Sequence, residues 1–150
     1  MEEKFNDILD KDEKIISVFK PVKRRYWRAG LAPFAIPLFW PHLIILLVIT
    51  FFTLPFFYAK AYYNIYYAYT NKRLIVRKGI FGNNFASLEY KDITATSVKV
   101  GFLDKGCETG TLEFSSPSVH AGVPLRFNYI SNPYENMKLI KEQIDSAIKK

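Results

Sequence analysis

The chain contains one cysteine, Cys107, and two histidines, His42 and His120, among its 150 residues. A single thiol excludes an internal disulfide and is compatible with a reducing compartment. Two histidines and a cysteine this far apart do not make a zinc site, so no metal is expected. No glycine-rich loop precedes a helix, which leaves nucleotide binding without support, and no other cofactor is implied. Ser115, Ser116 and Ser118 lie near His120, yet no nucleophile-elbow or oxyanion pattern accompanies them. Asp104, Glu108 and Glu113 fall around turns and on a strand, where solvated surface explains them. Without a catalytic constellation, a non-enzymatic protein is expected. Repeats and low-complexity tracts are lacking too. So is a cleavable signal peptide: the first 28 residues carry both signs of charge, and the apolar run behind them is too long for a signal's hydrophobic region.

Charge itself is missing from Ala29 to Ala59, 31 consecutive residues. Roughly 18 or more uncharged apolar residues mark a membrane span rather than a core helix. Extending the run to Tyr69 admits only Lys60 and gives 41 residues, about 62 Å of helix at 1.5 Å per residue. Against a hydrocarbon core of about 30 Å, that length suits two crossings, a transmembrane hairpin. Trp40-Pro41-His42 supplies the outer turn, because Pro41 breaks a helix, and His42 sits there as a neutral histidine among headgroups. The first arm starts near Trp27 and is interrupted by Pro33 and Pro37. The second starts near Leu43, bends at Pro55 and leaves among Tyr58, Tyr62, Tyr63, Tyr66 and Tyr67, rings suited to headgroup level. The rival is one tilted span broken at Thr53-Leu54-Pro55, which puts the two ends on opposite sides.

Basic residues flank both ends, Lys20, Lys23, Arg24, Arg25 and Arg28 before the run and Lys60, Lys72, Arg73, Arg77 and Lys78 after it. By the positive-inside rule both ends read as cytoplasmic, in a multi-pass protein of the cell membrane with two spans. The formal charge of +7 divides as +2 ahead of residue 29, from eight basic and six acidic residues, +1 at Lys60, and +4 after residue 69, from twelve and eight. No segment is basic enough for a nucleic-acid binder. The surplus suits attraction to an anionic leaflet, worth about 1 kcal/mol per Lys or Arg held near it. Candidates facing the lipid are Lys23, Arg24, Arg25, Arg28, Lys60, Lys72, Arg73, Arg77 and Lys78. Strand alternation sends Arg73 and Arg77 to one face and Lys78 to the other, a charged rim rather than a preformed headgroup pocket.

Beyond the run the periodicity changes. Met1 to Lys20 fits a short amphipathic helix and then a strand or interfacial segment. Tyr69 to Gly79 reads as a strand or tight hairpin with a turn signal at Thr70-Asn71. Further strands are expected over Asn84 to Tyr90, Ile93 to Phe102, Gly110 to Ser115 and Pro124 to Ile130, the last with Leu125, Phe127 and Tyr129 on one side. Asn132-Pro133-Tyr134-Glu135 has the form of a capping box. Tyr134, Met137, Ile140, Ile144, Ala147 and Ile148 then make one helical stripe. Strands followed by one amphipathic helix imply an α+β domain, a curved antiparallel sheet or open barrel capped by that helix.

The words Tyr69-Thr70-Asn71-Lys72-Arg73-Leu74-Ile75-Val76-Arg77-Lys78-Gly79-Ile80-Phe81, Leu88-Glu89-Tyr90-Lys91-Asp92-Ile93, Gly110-Thr111-Leu112-Glu113-Phe114 and Asn132-Pro133, in this order behind an apolar run, resemble the bacterial membrane-flanked PH-like domain family. Asp12-Glu13-Lys14-Ile15 with Lys20-Pro21 looks like that family's approach to the membrane. The resemblance implies a cytoplasmic N-terminal segment (1–28), a transmembrane hairpin and interfacial exit (29–69) and a PH-like domain (70–150). It further implies a binding or assembly module of the membrane environment, linked to envelope stress or protection against membrane-active peptides. Expected partners are the lipid bilayer and, as further candidates, another membrane protein or a second copy of this chain. An anionic lipid-headgroup sensor and an accessory subunit of a membrane enzyme or transporter are the alternatives.

Overall fold

A computed structural model describes residues 4, 5, 8–31, 55–117 and 124–148. The expected turn at Trp40-Pro41-His42, much of both expected arms, and Ser118 and His120 lie outside the described residues. Among the described residues, no helix is long and apolar enough to cross a membrane.

Two antiparallel sheets carry the fold. The first has the order β1 (Ile15–Phe19), β2 (Tyr66–Thr70), β3 (Arg73–Lys78), β4 (Asn84–Glu89), and the second β5 (Ala95–Lys99), β6 (Thr109–Ser115), β7 (Leu125–Ser131). Helix α1 (Lys23–Leu31) follows β1, and α2, whose described part is 55–64, leads into β2. A single turn, α3 (Phe102–Lys105), links β5 to β6, and α4 (Pro133–Ile148) follows β7.

Strand β1 pairs with β2 across the uncharged run, with Phe19 opposite Tyr67 and Val18 opposite Ala68. The expected interfacial exit through Tyr66 and Tyr67 is therefore corrected. Tyr67 is fully buried and stacks on Phe127 with ring centroids 4.9 Å apart. Aromatic residues in a strand covered on both faces have the same composition as a headgroup belt, and pairing with β1 and β3 decides between them.

Period two sorts the first sheet into two cores. Tyr67, Tyr69, Leu74, Val76 and Leu88 face the second sheet and α4, joining Leu112, Phe114, Phe127, Ile130, Met137, Ile140 and Ile144. Tyr66, Ala68 and Ile75 face the other way, where Phe5 covers them with Ile8, Leu9 and Phe85. The N-terminal segment thus serves as a lid on the outer face of the sheet.

Local chemistry sets the corners. Thr70 Oγ1 accepts from the Lys72 and Arg73 amides at 3.1 and 3.0 Å, fixing the β2–β3 turn, and Asn71 Oδ1 accepts from the Lys14 amide at 3.0 Å. Gly79 has φ +156°, and a Cβ there would collide with the Gly82 carbonyl oxygen, so the β3–β4 turn demands glycine. The Tyr90–Asp92 corner is closed by the Ile93 amide on the Tyr90 carbonyl at 3.2 Å.

Three expectations shift in the second half. A register change in the β6–β7 pairing and φ 59° at Tyr129 form a bulge, so Leu125, Phe127 and Ile130 are buried and Tyr129 turns outward. The expected capping box gives way to Asn132 at φ 44°, with Asn136 Nδ2 donating to the Ser131 carbonyl at 2.8 Å. Along α4, Pro133, Met137, Ile140 and Ile144 are buried, whereas Tyr134 and Ile148 are 69% and 59% exposed; the inward face starts at Pro133, against Gly110, and Tyr134 one residue on is turned about 100° away from it.

Candidate membrane-facing site

Helices α1 and α2 flank the uncharged run and lie side by side. Tyr26 sits with its ring 5.2 Å from Tyr58 and 5.3 Å from Tyr62, and Trp27 is 6.2 Å from Tyr58. Gly30 leaves the space that the Tyr58 ring fills, since a Cβ would strike it. The helix pair is fastened to the second sheet through the bulge. The Val22 amide donates to the Tyr129 carbonyl at 2.8 Å, Arg25 lies 4.5 Å over the Tyr129 ring, and Arg25 Nε donates to Asp104 Oδ1. Asp104 is not solvated surface: it is buried and also accepts from the Gly101 amide at 2.8 Å. Glu113 is likewise buried, bridging Lys99 and Arg126 at 2.8 Å each. The Lys99 bond, with Arg126 beside it, holds its carboxyl below the usual range against the effect of desolvation.

The nine basic candidates separate. Lys23, Arg24 and Arg28 are exposed on α1, with Arg28 Nη1 3.4 Å from Cys107 Sγ, whereas Arg25 is committed to Asp104. Lys60 is exposed on α2 and lies 4.7 Å over the Phe81 ring. Arg77 and Lys78 end β3 near this helix pair, and Lys78 is pushed below the ordinary lysine range by desolvation and by Arg126. Lys72 and Arg73 stand at the opposite end of β3. Arg73 is occupied: its Nε and Nη2 donate to Glu13 at 2.9 and 2.8 Å, and Nη2 also to the Ile8 carbonyl at 2.7 Å. Alternation holds as expected, with Arg73 and Arg77 on the outer face.

Between the basic groups stand exposed apolar side chains. Phe56 and Phe57 on α2 and Ile80 and Phe81 on the β3–β4 turn form one patch, with Phe57 5.7 Å from Phe81, which is 77% exposed. Sequence reasoning passed over Lys4 and the role of Tyr66, which meet on the outer face of the first sheet. The readable signal was that Lys20 and Tyr66 border the helices on either side of the uncharged run.

Two layers of antiparallel sheet, three strands and four, closed by a C-terminal helix, agree with the family comparison. The sequence profile described as "Bacterial PH domain" matches residues 28–144. The chain belongs to the bacterial PH domain family. Its fold is similar to the crystal structure of a DUF1696 family protein with a pleckstrin-homology domain from Shewanella loihica PV-4, with TM-score 0.52, 13% identity, and coverage of 95% of this chain and 91% of that one. A pleckstrin homology domain from Shewanella amazonensis SB2B gives TM-score 0.47 and 16% identity over 95% of this chain and 80% of that one. No curated protein matches it. This bacterial PH domain differs from the expected layout in where its first sheet begins, since β1 precedes the uncharged run.

Proposed function

We propose that the chain is a membrane-anchored, non-enzymatic bacterial PH module, held on the cytoplasmic side by a hairpin and presenting its sheets to a partner at the membrane. The observation that carries the reading is the contact between α1 and α2. Gly30 packs on Tyr58, so the chain enters and leaves residues 32–54 at one place on the domain. A single crossing would separate those two points by about 30 Å of hydrocarbon. Ala29 to Ala59 as continuous helix would reach about 46 Å, short of two full crossings. Snorkelling of the flanking Arg28 and Lys60, or local thinning, offsets such a mismatch. The patch of Phe56, Phe57, Ile80 and Phe81 lies beside the same helix ends, where apolar side chains are favourable against lipid. The family resemblance adds envelope stress, or protection against membrane-active peptides, as the setting.

Cys107 tests the placement, being the only thiol and half-buried beside Arg28. A membrane-impermeant maleimide is expected to label it only after cells are permeabilised, with the protein remaining in the membrane pellet after a carbonate wash. Labelling in intact cells, or release by the wash, refutes the reading.

A further inference from the structure

Two cations gather on the outer face of the first sheet around one phenol. Tyr66 Oη accepts from Lys4 Nζ at 3.1 Å and lies 3.5 Å from Lys20 Nζ. Both ammonium groups also sit over the Tyr66 ring, at 4.5 and 4.8 Å, and Lys20 faces the rings of Tyr62 and Tyr63 at 4.8 and 5.2 Å. Arg77 is the cross-strand neighbour of Tyr66. Its guanidinium leans toward β4 instead, 5.8 Å over the Phe85 ring, and Nη2 donates to Asn83 Oδ1 at 2.6 Å. None of the ion pairs among the described residues neutralises Lys4 or Lys20.

Elsewhere the fold pairs cations with carboxylates: Arg25 with Asp104, Arg73 with Glu13, Arg126 with Glu113. Here two ammonium groups share a single neutral oxygen. Burial raises the phenol's pKa, but the hydrogen bond from Lys4 and the charge of Lys20 outweigh it and bring Tyr66 below the ordinary tyrosine value. The site therefore already favours negative charge at that oxygen. Each ammonium carries three donors, and a phenolic oxygen cannot fill six. A group with several charged oxygens can bridge both lysines. We infer that Lys4, Lys20 and Tyr66 form a binding site for a phosphate group. Under the anchoring proposed above, on which the choice of phosphate over other anions rests, Lys20 and Tyr66 stand at the ends of the strands nearest the bilayer, at the level of headgroup phosphates.

The test uses the full chain, delipidated in an uncharged maltoside detergent, titrated separately with inorganic phosphate and with dihexanoyl phosphatidate below its micellar concentration, and followed by ligand-observed phosphorus NMR. Saturable binding is expected, weakened at least tenfold in K4Q/K20Q and unchanged in K138Q/K141Q, which removes the same charge from α4. Lys4→Gln, an exposed change with little risk to folding, is expected to weaken it at least threefold, and circular dichroism melts verify that each variant is folded. Binding of both ligands, or of either alone, supports the site, and which of them binds separates free phosphate from a lipid headgroup. Absence of binding by either, or equal weakening in K138Q/K141Q, overturns it. Carbonate extraction of the same variants reads the anchoring separately, so loss of one conclusion is distinguishable from loss of the other.

Discussion

Glu13 belongs to the segment ahead of the uncharged run, and its partners lie behind it. Its carboxylate, fully buried, accepts from Arg73 Nε at 2.9 Å and Nη2 at 2.8 Å, from Thr70 Oγ1 at 2.7 Å and from the Asp10 amide at 3.2 Å. Burial alone would raise the Glu13 carboxyl, but the bonds from Arg73 and Thr70 hold it below its ordinary value. Glu13→Ala strips the acceptor from two guanidinium donors and one hydroxyl. Breaking a buried pair costs about 3–5 kcal/mol. Arg73 keeps the Ile8 carbonyl at 2.7 Å and is 21% exposed, so screening lowers the expected loss to about 2–3 kcal/mol. In a domain of this size that is a fall in melting temperature of about 10 °C. Because the folded-state pKa is depressed, the pair's contribution is complete above the unfolded value near 4.3 and is lost as pH falls through the folded one. The gap between wild type and E13A should therefore be full at pH 7 and shrink below about pH 4. Thermal melts of E13A, R73A and E13A/R73A at both pH values form the assay, with a coupling energy above about 1 kcal/mol expected at pH 7. Strict additivity, or a gap that widens on acidification, refutes the reasoning.

Two further substitutions probe the sheets. Gly79→Ala forces a side chain against the Gly82 carbonyl at φ +156° and should cost at least about 2 kcal/mol, read from the denaturation midpoint; a neutral result would mean that the turn relaxes freely. Phe127→Ala removes a fully buried ring stacked on Tyr67 at 4.9 Å and edge-on to Phe114 at 5.3 Å. A loss of about 3–5 kcal/mol, with a collapsed near-ultraviolet dichroism signal from the tyrosines, is expected, and a loss below about 1 kcal/mol would contradict the central role given to that ring.

Much of the domain was readable because its strands are local. The Thr70-Asn71 turn, β4, β6 and the buried middle of α4 follow from turn residues and periodicity within a few positions. What escaped depended on distant partners. Tyr66 and Tyr67 have the composition of a membrane belt, and only β1, on the far side of the run, makes them core. Arg73 looked like a lipid-facing cation because the carboxylate that claims it lies 60 residues earlier. Tyr129 left the expected alternation at a bulge, which no periodic pattern announces. Around the candidate site, the exposure of Lys23, Arg24, Arg28 and Lys60 followed from their position at the run's borders. The meeting of Lys4 with Lys20 was not, since it requires the N-terminal lid to fold back over the sheet.

The pairing of β1 with β2 orders events during synthesis. Hairpins β2–β3 and β3–β4 close within a few residues, whereas joining Phe19 to Tyr67 closes a loop that holds residues 20–66, and loop closure over that span is slower and entropically dearer. The first strand waits, unpaired, until the uncharged run has been translated and has returned beside its starting point. A chain that failed to return would keep β2 as a bare edge, open to proteases and to pairing with other chains. Return of the chain thus decides which strand ends the sheet: the apolar, buried β2 before it, the half-exposed β1 after it.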